Sequence, residues 1–494
     1  MSKKICVIGG GLGGLSAAIR LANKGFEVDL YEQNGTVGGK AGEINYNGFR
    51  FDTGPSLLTM PEVLVNLFND CNENINKYLE FEKLDIICKY FYQDKTVINA
   101  YSDLKRFGEE VDIKTNDSSQ SLKQYLNYCE TIYNYAGDLF LTKDISNPKT
   151  FFNLKSLRTL FNLHKIDPFH TMNEANKSFF KDKKLIQLFN RYATYNGSNP
   201  YLAPATLNII PHVEYNKGSY LPKGGIYSIV KALRNLAEKK SVKFFNQHKV
   251  NEILTKNNKA IGIKVKNQIK HYDKIISNVD VNTTFKYLIK LSNNREAINY
   301  AKHTPSFSGL VFYWGINKTF PELETHNIFF ANDYKKEFVN LFENKIIHND
   351  PTVYIYVSSK LNKEDAPAGK ENWFVMINSP YNENQNWDSE IRIARNTIIK
   401  KINDQLNVDI EKSIEFEKVL SPVDIQNKTG SYMGSIYGIA SNERMTAFRR
   451  QPNKSKSIKN LFFCGGSAHP GGGIPLVILS GKIVSDIIVK EFRL

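Results

Sequence analysis

The stretch KICVIGGGLGGLSAAIRLANKGFEVDLYE, residues 4–32, decides the fold. An apolar run from Lys4 to Ile8 predicts a strand. A glycine turn follows, Leu15 to Asn23 carries the apolar spacing of a helix, and Val28 to Tyr31 predicts a second strand. Gly9, Gly11 and Gly14 match GxGxxG at a strand-to-helix turn. In that pattern the first glycine permits the tight turn, the second lets the backbone approach a pyrophosphate, and the third allows helix and strand to pack closely. The helix N-terminus behind this turn offers free N–H groups and a positive dipole end to phosphates, and Leu12, within the turn, is expected to contact the cofactor. Glu32 stands at the end of the second strand, 18 residues beyond Gly14, where a carboxylate accepts hydrogen bonds from ribose hydroxyls. An acid there repels the 2′-phosphate of NADP, which leaves FAD or NAD.

The rest of the chain sets bounds on that reading. Its 494 residues, 41% apolar and 23% charged, suit a folded protein of several lobes. Five scattered cysteines, with no CxxC pair and no histidine at zinc spacing, exclude a structural metal or a disulfide framework. Residues 5–22 imitate a signal peptide, but five glycines and Arg20 argue against one. No other stretch is apolar enough to span a bilayer, so the expectation is a cytoplasmic protein. A net charge of +15 admits nucleic acid, an anionic membrane surface or plain composition. Nucleic acid is excluded by the even spread of basic residues and the lack of a recognition motif. Between Lys143 and Arg191, Phe and Leu alternate with Lys and Arg, which fits either a helix lying on lipid or an ordinary amphipathic helix capping a core.

Residues 36–62 are rich in Gly and Pro and predict a long ordered loop. From about Pro61 to Ile210 the pattern predicts mainly helix. Strands are expected at Val242 to Val250, Ala260 to Val265, Lys274 to Ser277, Leu310 to Trp314, Thr352 to Val357 and Trp373 to Asn378, then a helix from Ser389 to Leu406. The chain closes with a second glycine-rich segment and a terminal helix.

Gly38-Gly39-Lys40, close behind Glu32, gives backbone room and a cation for a diphosphate, and Phe51-Asp-Thr-Gly-Pro-Ser56 comes soon after. With these segments the sequence resembles the flavoprotein oxidoreductases that include amine oxidases, protoporphyrinogen oxidases and carotenoid desaturases. The segment Asn460-Leu-Phe-Phe-Cys-Gly-Gly-Ser-Ala-His-Pro-Gly-Gly-Gly-Ile-Pro475 resembles the closing flavin motif of the carotenoid desaturases. The resemblance implies FAD rather than NAD. It carries Gly39, Lys40, Ser56, Leu57, Gly465, Gly472, Gly473 and Ile474 over as cofactor contacts. It adds Val250 from the strand around His248–Ile253, and Asn278 at the end of Lys274–Ser277. The implied fold is α/β: a Rossmann-type FAD-binding domain of the glutathione-reductase/amine-oxidase kind, interleaved with a mixed β-sheet substrate domain and a helical lid or membrane-facing lobe. The expected division is 1–60, 215–280 and 455–494 for FAD, 61–100 and 281–454 for substrate, and 101–214 for the helical lobe.

Many phytoene desaturases carry tryptophans in the stretch that here reads Gly54-Pro-Ser-Leu-Leu-Thr-Met-Pro61. This version looks more like the 1-hydroxycarotenoid 3,4-desaturases, with phytoene desaturation as the alternative. The resemblance implies a hydride passing from the carotenoid to flavin N5 with loss of a proton, and oxygen or a quinone as final electron acceptor. The cofactor carries the hard step, so no catalytic side chain is named. His469 is a proton acceptor or a turn former, Cys464 a buried strand thiol, and Asp52 a loop-orienting group or an Asx-turn. A hydrocarbon substrate implies an apolar tunnel, suited to 31 Phe and 26 Tyr, and an enzyme resting on the inner face of the membrane. Competing readings are a flavin amine oxidase and a non-redox binding protein like the Rab GDP-dissociation inhibitors.

Overall fold

Lys4–Ile8 is a central strand because both of its faces are covered, as parallel sheets require. In the computed structural model, which describes residues 3–144, 163–289, 294–443 and 450–493, it pairs in parallel with Glu27–Tyr31 on one side and Lys274–Ser277 on the other. Lys243–Phe245 extends the sheet beyond Glu27–Tyr31, and Leu461–Phe463 extends it beyond Lys274–Ser277. Five strands drawn from widely separated parts of the chain thus make one parallel sheet. The first helix, Leu12–Asn23, begins three residues earlier than its apolar spacing predicts and packs against the terminal helix Ile474–Arg493.

A second, mixed sheet has seven strands in the order Ile414–Leu420, Ser308–Ile316, Glu371–Ser379, Val353–Tyr356, His326–Phe329, Ile86–Phe91, Val97–Tyr101. Side chains alternate between its faces. Phe312, Trp314, Trp373 and Val375 pack with Ala394, Ile398 and Ile402 of the helix Trp387–Leu406. Their neighbours Val311, Tyr313, Phe374 and Met376 line a cavity instead. Over the far end of this sheet lie the helices Leu104–Lys114, Ser119–Thr142, Met172–Phe179 and Lys183–Asn190, sharing one aromatic core with the strands.

Two expectations are corrected. The helical reading of 61–210 misses the strands Phe81–Lys83, Ile86–Phe91 and Val97–Tyr101. Their pairing is partly long-range, with Ile86–Phe91 running parallel to His326–Phe329, and local periodicity does not report it. Residues 36–62 form more than a loop: Glu43–Tyr46 and Phe49–Asp52 make a hairpin over Asn47-Gly48, both at positive φ as a tight hairpin turn demands. Much of the basic, apolar stretch between Lys143 and Arg191 lies outside the described residues. Among the described residues no helix is long and apolar enough to cross a membrane, and no acidic, histidine or cysteine cluster could hold a metal.

Candidate functional site

One elongated cavity of about 1290 Å³ runs from the edge of the parallel sheet to the aromatic core beneath the helices. Of the residues singled out in the sequence, Gly9, Gly11, Leu12, Glu32, Gly39, Lys40, Ser56, Leu57, Val250, Asn278, Gly465, Gly472, Gly473 and Ile474 line it. Gly14 does not. A Cβ on Gly14 would stand 2.3 Å from the carbonyl oxygen of Gly9, so this glycine keeps the helix tight under the turn.

Glu32 is buried where the second strand ends. One carboxylate oxygen accepts the Gly10 N–H at 2.8 Å, and the other accepts the Asn34 N–H and side-chain amide at 2.9 and 2.8 Å. Its position is therefore fixed by the glycine turn itself. Asn278 clamps the two glycine segments together. It donates to the Gly9 carbonyl at 3.1 Å, and its own oxygen accepts from the Cys464 thiol at 3.5 Å. Both long helices, Leu12–Asn23 and Ile474–Arg493, open onto the cavity, and neither has an acid in its first turn to cancel its dipole.

Lys40 is half-buried and donates to the carbonyls of Ser435 and Ile436 at 3.3 and 2.5 Å. Burial pulls its ammonium down to about 8, while the Asp280 carboxylate works the other way. His469 holds the Lys143 carbonyl through Nε2 at 2.9 Å, and its Nδ1 has no partner among the described residues. Burial lowers its pKa to about 4, so the ring is neutral near pH 7. Cys464 is fully enclosed, which pushes its thiol pKa up and leaves it a strand thiol. Asp52 finds its partners outside the loop that follows it. It accepts the Ile226 and Tyr227 N–H groups at 3.0 and 2.9 Å and pairs with Arg50 at 2.7 Å, holding the start of the helix Tyr227–Lys239.

Sequence reasoning passed over the segment Gly430–Gly438 and Arg450, which also line the cavity. Arg450 donates to the carbonyls of Tyr437, Gly466 and Ile439 and to the Asn196 amide oxygen, tying the closing glycine segment to the helical part. The only signal was three glycines in nine residues, separated by two tyrosines. The cavity's far half is walled by Ile87, Leu207, Ile209, Ile210, Val213 and Ile328 among others.

A dinucleotide fits this site. Glycine backbone, two uncancelled helix N-termini, a fixed carboxylate and the unpaired Nδ1 of His469 lie along one trough. The comparisons agree. Residues 12–489 match the family of flavin containing amine oxidoreductases. The chain is 42% identical to a 1-hydroxycarotenoid 3,4-desaturase of Flavobacterium sp. (strain P99-3), covering 98% of this chain and 99% of that one. It is 36% identical to a 4,4′-diaponeurosporene oxygenase of Staphylococcus haemolyticus (strain JCSC1435), covering 98% and 97%. The cyclohexylamine oxidase of Brevibacterium oxydans IH-35A has the same fold, with a TM-score of 0.65 at 12% identity over the full length of both chains. The protein thus belongs to the flavin containing amine oxidoreductases, alongside the carotenoid desaturases of that family, and is an oxidoreductase with FAD as its cofactor.

Proposed function

We propose that the protein is a carotenoid desaturase that introduces a conjugated C=C bond into an acyclic or partly acyclic carotenoid, acting at the 3,4-position of a 1-hydroxylated end. The observation that carries this reading is the continuous cavity that leads from the two glycine turns into an apolar half. Relatives named for carotenoid chemistry support it.

In this reading Glu32 and Val250 hold the adenosine end of FAD. Gly9, Gly11, Leu12, Gly39 and Lys40 serve the diphosphate, with Gly14 setting the turn beneath. Ser56, Leu57, Asn278, Gly465, Gly472, Gly473 and Ile474 surround the flavin end. Residues 1–60, 215–280 and 455–494 form the cofactor domain, 61–100 and 281–454 the substrate domain, and 101–214 the helical lobe. Bound FAD supplies an acceptor for the two electrons that leave the substrate. The chain itself aligns the polyene along apolar walls and keeps water from the reacting carbons. Because the substrate dissolves in bilayers, the enzyme works at a membrane surface, with oxygen or a quinone as final acceptor.

The test is production in cells that make acyclic carotenoids with and without a 1-hydroxyl. The expected product is two hydrogens lighter, absorbs further to the red and arises from the hydroxylated pigment. The relative named as an oxygenase supports a second reading, for which the product gains oxygen instead. Unchanged pigments beside yellow, folded protein would overturn both.

A further inference from the structure

The apolar half of the cavity contains a polar cluster that the reading above leaves unused. Arg191, Glu214, Tyr195, His326, Tyr334 and Tyr354 all line it. Arg191 pairs with Glu214 at 3.3 Å, and Glu214 accepts from Tyr192 and Tyr195, each at 2.6 Å. That core is electrically neutral. Of the cavity-lining residues in this cluster, three carry a buried polar atom with no hydrogen-bond partner among the described residues: Nε of Arg191, Nε2 of His326 and the hydroxyl of Tyr334. All three residues line the same cavity, and Tyr90 links two of them: its hydroxyl accepts from Arg191 at 2.8 Å, and its ring stacks on Phe330, which Tyr334 meets edge-on. Buried polar groups are ordinarily paired, and unpaired ones cluster where a ligand completes them.

Resting on the desaturase reading, we propose that His326 and Tyr334 beside the Arg191–Glu214 pair bind the hydroxyl of a 1-hydroxylated carotenoid end and select for it. Neutrality excludes a carboxylate or an amine as the intended guest, since either would bring an uncompensated charge among buried groups. Burial holds the His326 ring neutral, down to about 3. One of its nitrogens is then a donor and the other an acceptor. Nδ1 is taken by the Tyr354 hydroxyl at 2.7 Å. Whichever role remains at Nε2, a hydroxyl matches it, because a hydroxyl both donates and accepts.

Position agrees with chemistry. The Tyr354 hydroxyl lies 2.6 Å from Ser56 Oγ, and Ser56 belongs to the proposed flavin end. The cluster is thereby joined to the place of reaction. A 1-hydroxyl sits on a carbon only two bonds from C3, so its binding group has to stand close to the reacting bond.

The test uses FAD-loaded protein and two acyclic carotenoids that differ only in the 1-hydroxyl. Binding is read by quenching of protein fluorescence, and turnover by pigment spectra. Wild type is expected to bind the hydroxylated compound at least tenfold more tightly. His326→Phe and, separately, Tyr334→Phe are each expected to narrow that preference about tenfold with flavin content unchanged. Tyr334→Phe removes only a hydroxyl that has no hydrogen-bond partner among the described residues, so its effect is not one of misfolding. Equal binding of the two compounds by wild type, or an undiminished preference in both variants, would overturn the inference. Preferential binding without desaturation of either compound would instead overturn the desaturase reading and leave the hydroxyl site standing.

Discussion

At the scale of single residues the site depends on atoms that have no room to move. Gly14→Ala would press a methyl against the Gly9 carbonyl, which belongs to the backbone of the phosphate turn. The expected result is a loss of about 2 kcal/mol in urea unfolding and a lower ratio of flavin to protein absorbance. Full flavin content with an unchanged midpoint would show that the turn does not carry the cofactor. His326 makes a second prediction, through pH. In the folded chain burial keeps its ring unprotonated down to about 3, whereas an unfolded-chain histidine takes up its proton near ~6.5. Between those values the unfolded chain binds the extra proton. Acidification through that window therefore removes stability at about 1.4 kcal/mol per pH unit, and above it the contribution is constant. Glu337 acts oppositely: pushed up to about 7 by burial, its carboxyl keeps a proton in the folded chain and loses stability as pH rises toward that value. His326→Phe removes the first effect alone. The slope of unfolding free energy against pH between about 5 and 6 should fall by roughly 1 kcal/mol per unit, and an unaltered slope would contradict the buried neutral ring. None of this polar cluster was legible in the sequence. Arg191, Glu214, His326, Tyr334 and Tyr354 come from separate helical and strand segments, and each alone reads as core or surface.

Elements show which contacts convert a local pattern into the cofactor trough. The helix Tyr227–Lys239 packs on the first helix, and its start is held by Asp52 of the hairpin, only 2% exposed and 175 residues before Tyr227. Asp52→Ala leaves two buried N–H groups unpaired and Arg50 short of a partner. The expected cost is about 3–5 kcal/mol in thermal or denaturant unfolding, with flavin released before the rest of the chain melts. A loss under about 1 kcal/mol would mean that Asp365 and Glu43, the other carboxylates on Arg50, suffice. Elements whose local pattern agrees with their burial were readable in advance. Lys274–Ser277 is buried at every position and matches its apolar run to the residue, and Ser308–Ile316 extends its predicted core by two residues at each end. Those decided by distant partners were not. Ile86–Phe91 is a strand because His326–Phe329 lies beside it, and the first helix starts at Leu12, through two glycines of low helix propensity, because the terminal helix packs against it. The two glycine segments could be read because a backbone that must approach a dinucleotide leaves glycine at fixed offsets. The Gly430–Gly438 stretch serves the same cavity without such a pattern.

For the whole molecule, the proposed function requires that a polyene reach the cavity from lipid. Pro168 and Pro204 line the cavity, and their neighbours Phe169 and Leu202 are 68% and 49% exposed. The two stretches are joined by the Ala205 N–H bonded to the His170 carbonyl and by a bridge between Thr171 and Pro204. Large apolar side chains therefore stand in solvent next to the walls of the apolar half, where a substrate drawn from lipid would enter. A net charge of +15 adds an attraction to anionic headgroups that salt weakens over a Debye length of about 8–10 Å. The proposed membrane contact then has two separable parts. Sedimentation with acidic vesicles should exceed that with neutral ones at low salt, and the excess should vanish toward about 1 M salt, where screening shortens to about 3 Å. Phe169→Asp combined with Leu202→Asp should weaken binding to both kinds of vesicle while leaving flavin content intact, because neither side chain supports the core. Equal sedimentation with acidic and neutral vesicles at low salt would remove the electrostatic part. Undiminished binding by the double variant would place the apolar contact elsewhere on the surface.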